Sequence, residues 1–573
     1  MAIEKMTNKS LILTLILAIN LGGCSLAPKK LKVPNEHVLM FDEDGKPLNP
    51  NGNIPLINTD SLANSPESWH ADLGKYRNLS YEQFDAYTDI IIDNIFKQES
   101  RKKILIFIHG GLNTQMDSLA RLEEDPRNGE ICDDSKNDKV ACKSRNKMIL
   151  EDNKYYPIFV NWRSSLINSY SDGLFSIRQG KSAGIWGYVT APFIFASDLT
   201  KSALRWPNVI GSLIYNDAQT APALKDPQDY PATIAKETLC KKYQYPYRNK
   251  DNQLWDQEDC LSNLSFSEAP DLLRLKFKKT IGNNTRNKII KKEENSKSFD
   301  IYIGEDERQA AELVTNFGRY IISFPGKILT TPIIDTFGGM SWDLMLRHID
   351  MLFNSEEELT KSELTNTAAS KQKLLDIPKH GGLSLFLKKL ADKLREENDK
   401  EREIVLVGHS MGTIVANELI RNFGEDLPIS KLVYVAGAAT VHDYETKIFP
   451  WLSRDHNRHI YHFQLHPRAE ESEKMAFDIP ARGSLLVWID NFLDKPLSPK
   501  QRTVGRYDNL LPSLHNTHYS LRDQISLKVY SAGSDVEHAN PQTHSDMASR
   551  FKFWDDECWN PNSEKPDCVF PNQ

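Results

Sequence analysis

Six short runs of branched aliphatic and aromatic residues recur along this chain: Ile104–Ile108, Pro157–Val160, Ile404–Val407, Leu432–Val435, His459–Leu465 and Ile525–Tyr530. Most of them are apolar at every position, so both faces of each strand need cover. That is the condition of a parallel sheet sandwiched between helix layers, whereas a one-sided antiparallel sheet alternates apolar with polar. Helical spacing fills the intervals. Apolar positions recur at that spacing from Tyr81 to Phe96, and Leu383, Phe386, Leu387, Leu390 and Leu394 share one side of a helix that leads into the third run. Strand and helix in alternation predict the α/β fold class.

The interval from Asn161 to Arg402 is too long for a simple crossover. It holds three textures. Ala183–Ala196 is apolar and aromatic, but its 14 residues, interrupted by Pro192, are too few to span a bilayer. Residues 217–300 are polar and read as a surface insertion. Ser341–Phe353 carries Trp342, Met345, Leu346, Ile349 and Phe353 at helical spacing, with Ser341 in the N-cap position. The two apolar pieces are either core helices over the sheet or a lipid-facing cap, and periodicity does not separate these. Residues 25–80, rich in Pro, Asn, Lys and Asp, read as a tether and irregular lead-in. The resulting division is a leader at 1–23, a tether at 24–80, and one α/β domain at 81–573 with a large insertion at about 163–400.

Charge narrows the partners. The net charge is only −7 and no basic, aromatic-interleaved stripe exists, which argues against nucleic acid. No GxxxxGK[ST] loop occurs and no GxGxxG follows a strand, so no nucleotide cofactor is expected, and no metal either.

At the N-terminus Lys5 and Lys9 outweigh Glu4, and the apolar run Leu11–Ile19 suits the core of a secretory signal. Leu21-Gly22-Gly23-Cys24 follows, and it resembles the bacterial lipobox. In that family the Cys receives a diacylglycerol and becomes the new N-terminus. The resemblance implies export and anchoring to a membrane through lipid on Cys24, with Ser25 favouring the outer membrane or periplasm. The other six cysteines fall in close pairs, Cys132 with Cys142, Cys240 with Cys260 and Cys558 with Cys568, each bracketing a polar stretch. None has CxxC spacing, so local disulfides in an oxidising compartment are expected over metal ligation, with connectivity open.

The strongest chemical signal is IVLVGHSMGTIVANELI at 404–420. An apolar strand runs into Gly408-His409-Ser410-Met411-Gly412, and a helix with Ile414, Val415, Leu419 and Ile420 on its inner side follows. A corner this sharp forces Ser410 into a strained backbone and leaves no room for side chains at 408 and 412. It also sets the hydroxyl over a helix N-terminus, whose amides favour a developing negative charge. A second signal is ILIFIHGGLN at 104–113, where Gly110 and Gly111 allow close backbone approach after a strand.

Together these segments resemble the α/β-hydrolase fold lipases and esterases. The likeness is specific over 104–113 and 404–440, looser through 459–550, and absent from 25–80 and 217–300. It implies that Ser410 is the nucleophile and that the amides of Met411 and of Gly111 or Leu112 bind the oxyanion. In that family an acid follows the next strands and a His follows the last one. Glu470, after the strand ending at Leu465, is the first choice for the acid, with Glu471 and Asp443 as alternatives. His544, just ahead of a segment with Met547, Phe551 and Trp554 at helical spacing, is preferred to His538 as the base. The expected activity is carboxylic-ester hydrolysis near a membrane, with lipid esters included. An amidase, peptidase or thioesterase on the same fold, or a non-catalytic surface lipoprotein, are the alternatives.

Overall fold

The structure is a computed structural model. It describes residues 35–50, 67–69, 75–98, 100–111, 115–120, 122, 145–175, 177–178, 181–182, 185–223, 300–303, 335–354, 381–399, 401–473, 483–494, 496, 498–533, 540–561 and 568–569. Cys24, Leu112, His538 and the pairs Cys132/Cys142 and Cys240/Cys260 lie outside these described residues.

One sheet organises the chain. Its strands are β1 (Val38–Met40), β2 (Lys103–Ile108), β3 (Tyr155–Asn161), β4 (Asp300–Ile303), β5 (Glu403–His409), β6 (Ile429–Val435), β7 (His459–Gln464) and β8 (Ile525–Val529). They stand in the order β1-β3-β2-β5-β6-β7-β8-β4, and each neighbouring pair is parallel. The six runs read from the sequence are therefore the six contiguous central strands. Residues such as Ile104, Leu105, Ile404, Val405, Leu432 and Val433 are fully buried, as strands covered on both faces require.

The two edge strands depart from the sequence reading. Val38–Met40 lies in the segment read as irregular lead-in, yet it is fully buried and pairs with Phe159–Asn161. Asp300–Ile303, at the end of the segment read as a polar insertion, pairs with Ser526–Val529. An edge strand needs only one neighbour, and three or four residues are too few to show a period.

The helices that frame the site are α1 (Tyr81–Lys97), α2 (Leu166–Phe175), α3 (Ile185–Ala223), α4 (335–353), α5 (Gly382–Glu396), α6 (Gly412–Phe423), α7 (Pro467–Ser472), α8 (Tyr507–Asn516) and α9 (His544–Ser549). A reciprocal Ser80–Gln83 capping box starts α1, which buries Phe84, Tyr87, Ile91 and Ile95 and packs on α5. Ser341 is not an N-cap. The helix is already formed at 335, and the Ser341 hydroxyl donates back to Phe337 O at 2.7 Å. Pro192 likewise does not end a helix, because α3 runs through it. A proline removes one ladder bond and bends a helix, and the turns on either side carry this one on.

Arg163, just beyond β3, makes a two-pronged ion pair with Asp172 of α2 at 2.7 and 3.0 Å, and the His348 ring of α4 donates to Arg163 O at 3.0 Å. These buried contacts hold α2 and α4 to the carboxyl edge of the sheet. Near the C-terminus a disulfide joins Cys558 to Cys568 with the Cα atoms 5.5 Å apart. Among the described residues no helix is long and apolar enough to cross a membrane. Because all strands run one way, the loops after β2, β5, β6, β7 and β8 emerge at one edge, where crevices of open α/β sheets form.

Candidate active site

Ser410 sits between β5 and α6 with φ of +51°, a left-handed conformation that costs a non-glycine residue on the order of 1–3 kcal/mol. Backbone bonds over-determine it. The Ser410 N–H donates to Val435 O of β6 at 2.9 Å. Its carbonyl accepts from Ala438 N at 3.0 Å, Thr413 N at 3.1 Å and the Thr413 hydroxyl at 2.7 Å. The neighbouring loop is braced in turn, with Gly505 N donating to Gly437 O and Val504 N to Ala439 O. A Cβ at Gly412 would collide with the Ile108 carbonyl, so the corner closes only on glycine. The Ser410 hydroxyl is buried and has no hydrogen-bond partner among the described residues.

The Gly110–Gly111 turn after β2 lies directly against this corner. A Cβ on Gly110 would come within 2.7 Å of the Ser410 Cβ, and one on Gly111 would strike the Met411 sulfur. The turn is held by its own histidine. Trp162 N–H donates to His109 Nε2 at 3.2 Å, which leaves the ring proton on Nδ1, where it is donated to Gly110 O at 2.8 Å. Ser164 Oγ adds a bond to the same carbonyl at 3.2 Å. No peptide bond here is cis, so with the Gly110 carbonyl tied back the Gly111 N–H points the opposite way. Met411 occupies the N-cap of α6, at the positive end of a 12-residue helix.

His544 opens α9, where Thr543 and Asp546 form a capping box. The ring is buried, and its centroid lies 5.3 Å from that of His409, the residue before Ser410. Both ring nitrogens are without a hydrogen-bond partner among the described residues. The expected Ser410–His544 hydrogen bond is thus not made, although the two corners adjoin. Burial pushes the ring pKa down to about 4, so the imidazole is neutral near pH 7 and able to accept a proton.

The acids divide. Glu470 is buried in α7, its Oε2 accepting from the Ser484 hydroxyl while Oε1 has no partner among the described residues. Burial raises its pKa to about 8 against the lowering effects of Ser484 and Arg506. Glu471 is committed to Arg506 at 2.6 Å, and Arg506 is fixed by Asp490 at 3.2 Å. Asp443 pairs with Lys447 at 2.9 Å, and Lys447 also binds Glu418. None of these three carboxylates is hydrogen-bonded to the His544 ring. The carboxylate that does touch this corner is Glu473, whose Oε2 accepts the His544 backbone N–H at 2.8 Å. Burial raises Glu473 to about 7, opposed by that bond. Sequence reasoning did not name Glu473. Its only signal was its place one helical turn beyond Glu470.

The assembly therefore offers a hydroxyl unbonded among the described residues on a strained corner, backbone amides beside it, a neutral imidazole on the adjoining corner and a carboxylate bonded to that corner's backbone. That is a set suited to nucleophilic attack with general-base assistance. Comparison with protein-family models, curated proteins and solved structures finds no match for this chain.

Proposed function

We propose that this chain is a serine hydrolase of the α/β-hydrolase type that cleaves carboxylic esters, lipid esters among them. The observation that carries the reading is Ser410 itself: a non-glycine residue at φ of +51° on a strand-to-helix corner, its hydroxyl unpartnered, with Gly110 pressed against it. The strand order around β5 supports the reading, since the corners after β2, β5 and β8 share one edge.

In the proposed reaction Ser410 Oγ attacks the ester carbonyl while His544 takes its proton. The tetrahedral oxyanion is bound by the Met411 and Gly111 amides, with Leu112 as the other donor named by the resemblance. His544 returns the proton to the departing alcohol, and water then releases the acid by the same steps in reverse order. The proposed reaction requires Ser410 Oγ and a His544 ring nitrogen to come within hydrogen-bond reach in the substrate complex. The orienting acid is drawn from α7 or the residue that caps its C-terminus. Position favours Glu470, whereas contact with the His544 corner favours Glu473. Export and a lipid on Cys24 are part of the same proposal, and labelling with a palmitate analogue that persists in Cys24→Ala would remove that part. For the chemistry, a fluorophosphonate probe should label the wild type and not Ser410→Ala. No labelling of either would make the chain a binding scaffold.

A further inference from the structure

Helix α3 is amphipathic the wrong way round for a helix facing water. Between Trp186 and Trp206 its outer side carries Trp186, Tyr188, Val189, Phe193, Leu199 and Leu204, each between 47% and 76% exposed. The same stretch has only three charged residues, Asp198, Lys201 and Arg205. At 100° per residue Asp198 and Arg205 fall on the flank opposite the outer stripe, and Lys201 lies toward its margin. All three take part in inward or lateral pairs: Arg205 reaches buried Asp335 at 3.2 Å, and Lys201 lies 3.7 Å from Asp198. The threonine hydroxyls are turned onto the helix's own backbone. Thr190 Oγ1 donates to Trp186 O at 2.7 Å and Thr200 Oγ1 to Ala196 O at 2.8 Å. A surface helix in water normally buries its apolar stripe and exposes its charges.

From this arrangement we propose that the outer face of α3 docks on a lipid bilayer, lying along its surface. Three features select lipid over a protein partner. The face has no charged group and its threonine hydroxyls are satisfied by the helix backbone, which suits an apolar medium and offers nothing to orient a protein. Trp, Tyr and Phe mixed with aliphatics is the composition that seats at the headgroup boundary. Lys201, 64% exposed at the margin of the stripe, is set to meet lipid phosphates while its carboxylate partner sits inward. The stretch is about 30 Å long, enough for a continuous line of contact. The inference depends neither on the chemistry at Ser410 nor on lipid at Cys24.

The test reads depth at the helix itself. Full-length protein is mixed with phosphatidylcholine–phosphatidylglycerol vesicles whose acyl chains are brominated, and tryptophan emission is recorded. Bromine quenches only rings that enter the acyl boundary. Part of the wild-type emission should be quenched, and Trp186→Phe/Trp206→Phe should lose that component. Val189→Asp/Phe193→Asp should lose it too, with an unchanged melting curve because both side chains are exposed. Equal quenching in wild type and the Trp variant, or none in the wild type, overturns the proposal. If quenching does not differ and lipid-free sedimentation shows a dimer that Phe193→Asp dissociates, the face belongs to a second copy instead. Fluorophosphonate labelling of Val189→Asp/Phe193→Asp reports separately on Ser410.

Discussion

Two strand-to-helix corners meet at the carboxyl edge of this sheet, and they are held by different means. The Ser410 corner is fixed by the backbone: strand β6 accepts its N–H, the loop at 438 donates to its carbonyl, and glycine at 412 closes it. The His544 corner is fixed by side chains. Gln542 bridges Gly533 N at 2.7 Å and Ser531 O at 3.0 Å, Asp546 caps Thr543 N at 3.0 Å, and Glu473 holds His544 N. The proposed nucleophile is therefore pre-set by the sheet, while the proposed base depends on polar residues from two distant segments. A backbone-held corner tolerates only the loss of its chemistry, and a side-chain-held corner loses alignment piece by piece.

The largest effects should fall on the reacting groups at both corners alike. Ser410→Ala and His544→Ala should each lower kcat on an activated ester by roughly ten-thousandfold or more, since members of such a set act as a unit. Circular dichroism should find both folded. A His544→Ala variant that keeps most of the wild-type turnover would break the pairing of the two corners.

The acids should separate next. Glu473→Gln should lower kcat on the order of a thousandfold if its bond to the His544 corner sets the imidazole, and Glu470→Gln, Glu471→Gln and Asp443→Asn should cost less. A large loss in Glu470→Gln with little in Glu473→Gln would return the role to the residue first named from the sequence. The contrast between the corners also explains what was legible. Ser410 and its glycines are contiguous with a strand and a helix, so one stretch of 17 residues, 404–420, carries the whole arrangement. The six central strands were legible for the same reason, most of them being short runs apolar on both faces. Glu473 was not legible, because its partner lies 71 positions away and the contact is to backbone, which leaves no trace in residue type. Val38–Met40 and Asp300–Ile303 were missed because an edge strand can be too short to declare itself, and Ser341 misled because a serine within a helix bonds the preceding turn as readily as it caps.

Gly110→Ala tests the backbone-held side with a smaller perturbation. Its methyl would lie 2.7 Å from the Ser410 Cβ and 2.9 Å from His409 Nδ1. Turnover should fall about a hundredfold, the scale expected when reacting groups are misplaced by about an ångström. Fluorophosphonate labelling should slow in proportion. Labelling at the wild-type rate would mean that the Gly110 turn does not bear on the hydroxyl.

The smallest effect distinguishes Glu470 of α7 from Glu473 at its C-cap by stability. Glu470 is held near pKa 8 by burial, against an ordinary value of 4.5, with Ser484 and Arg506 opposing the shift and Glu471 and Glu473 adding to it. A carboxyl whose folded pKa is raised binds a proton more tightly in the native state. Its contribution to stability is complete below about pH 4.5 and is lost progressively as pH rises toward 8. Glutamine keeps an acceptor for the Ser484 hydroxyl and does not titrate. The Tm of Glu470→Gln relative to wild type should therefore rise between pH 5 and pH 8, by about 2–4 °C for each kcal/mol involved. An acid that orients an imidazolium must instead be ionised in the folded state, and its replacement would give an offset that does not grow over that range. A flat offset for Glu470 would thus argue for the orienting role, whereas a rising offset leaves Glu470 a neutral partner of Ser484, and Glu473, itself raised to about 7, could then serve as the carboxylate only as pH rises through that value.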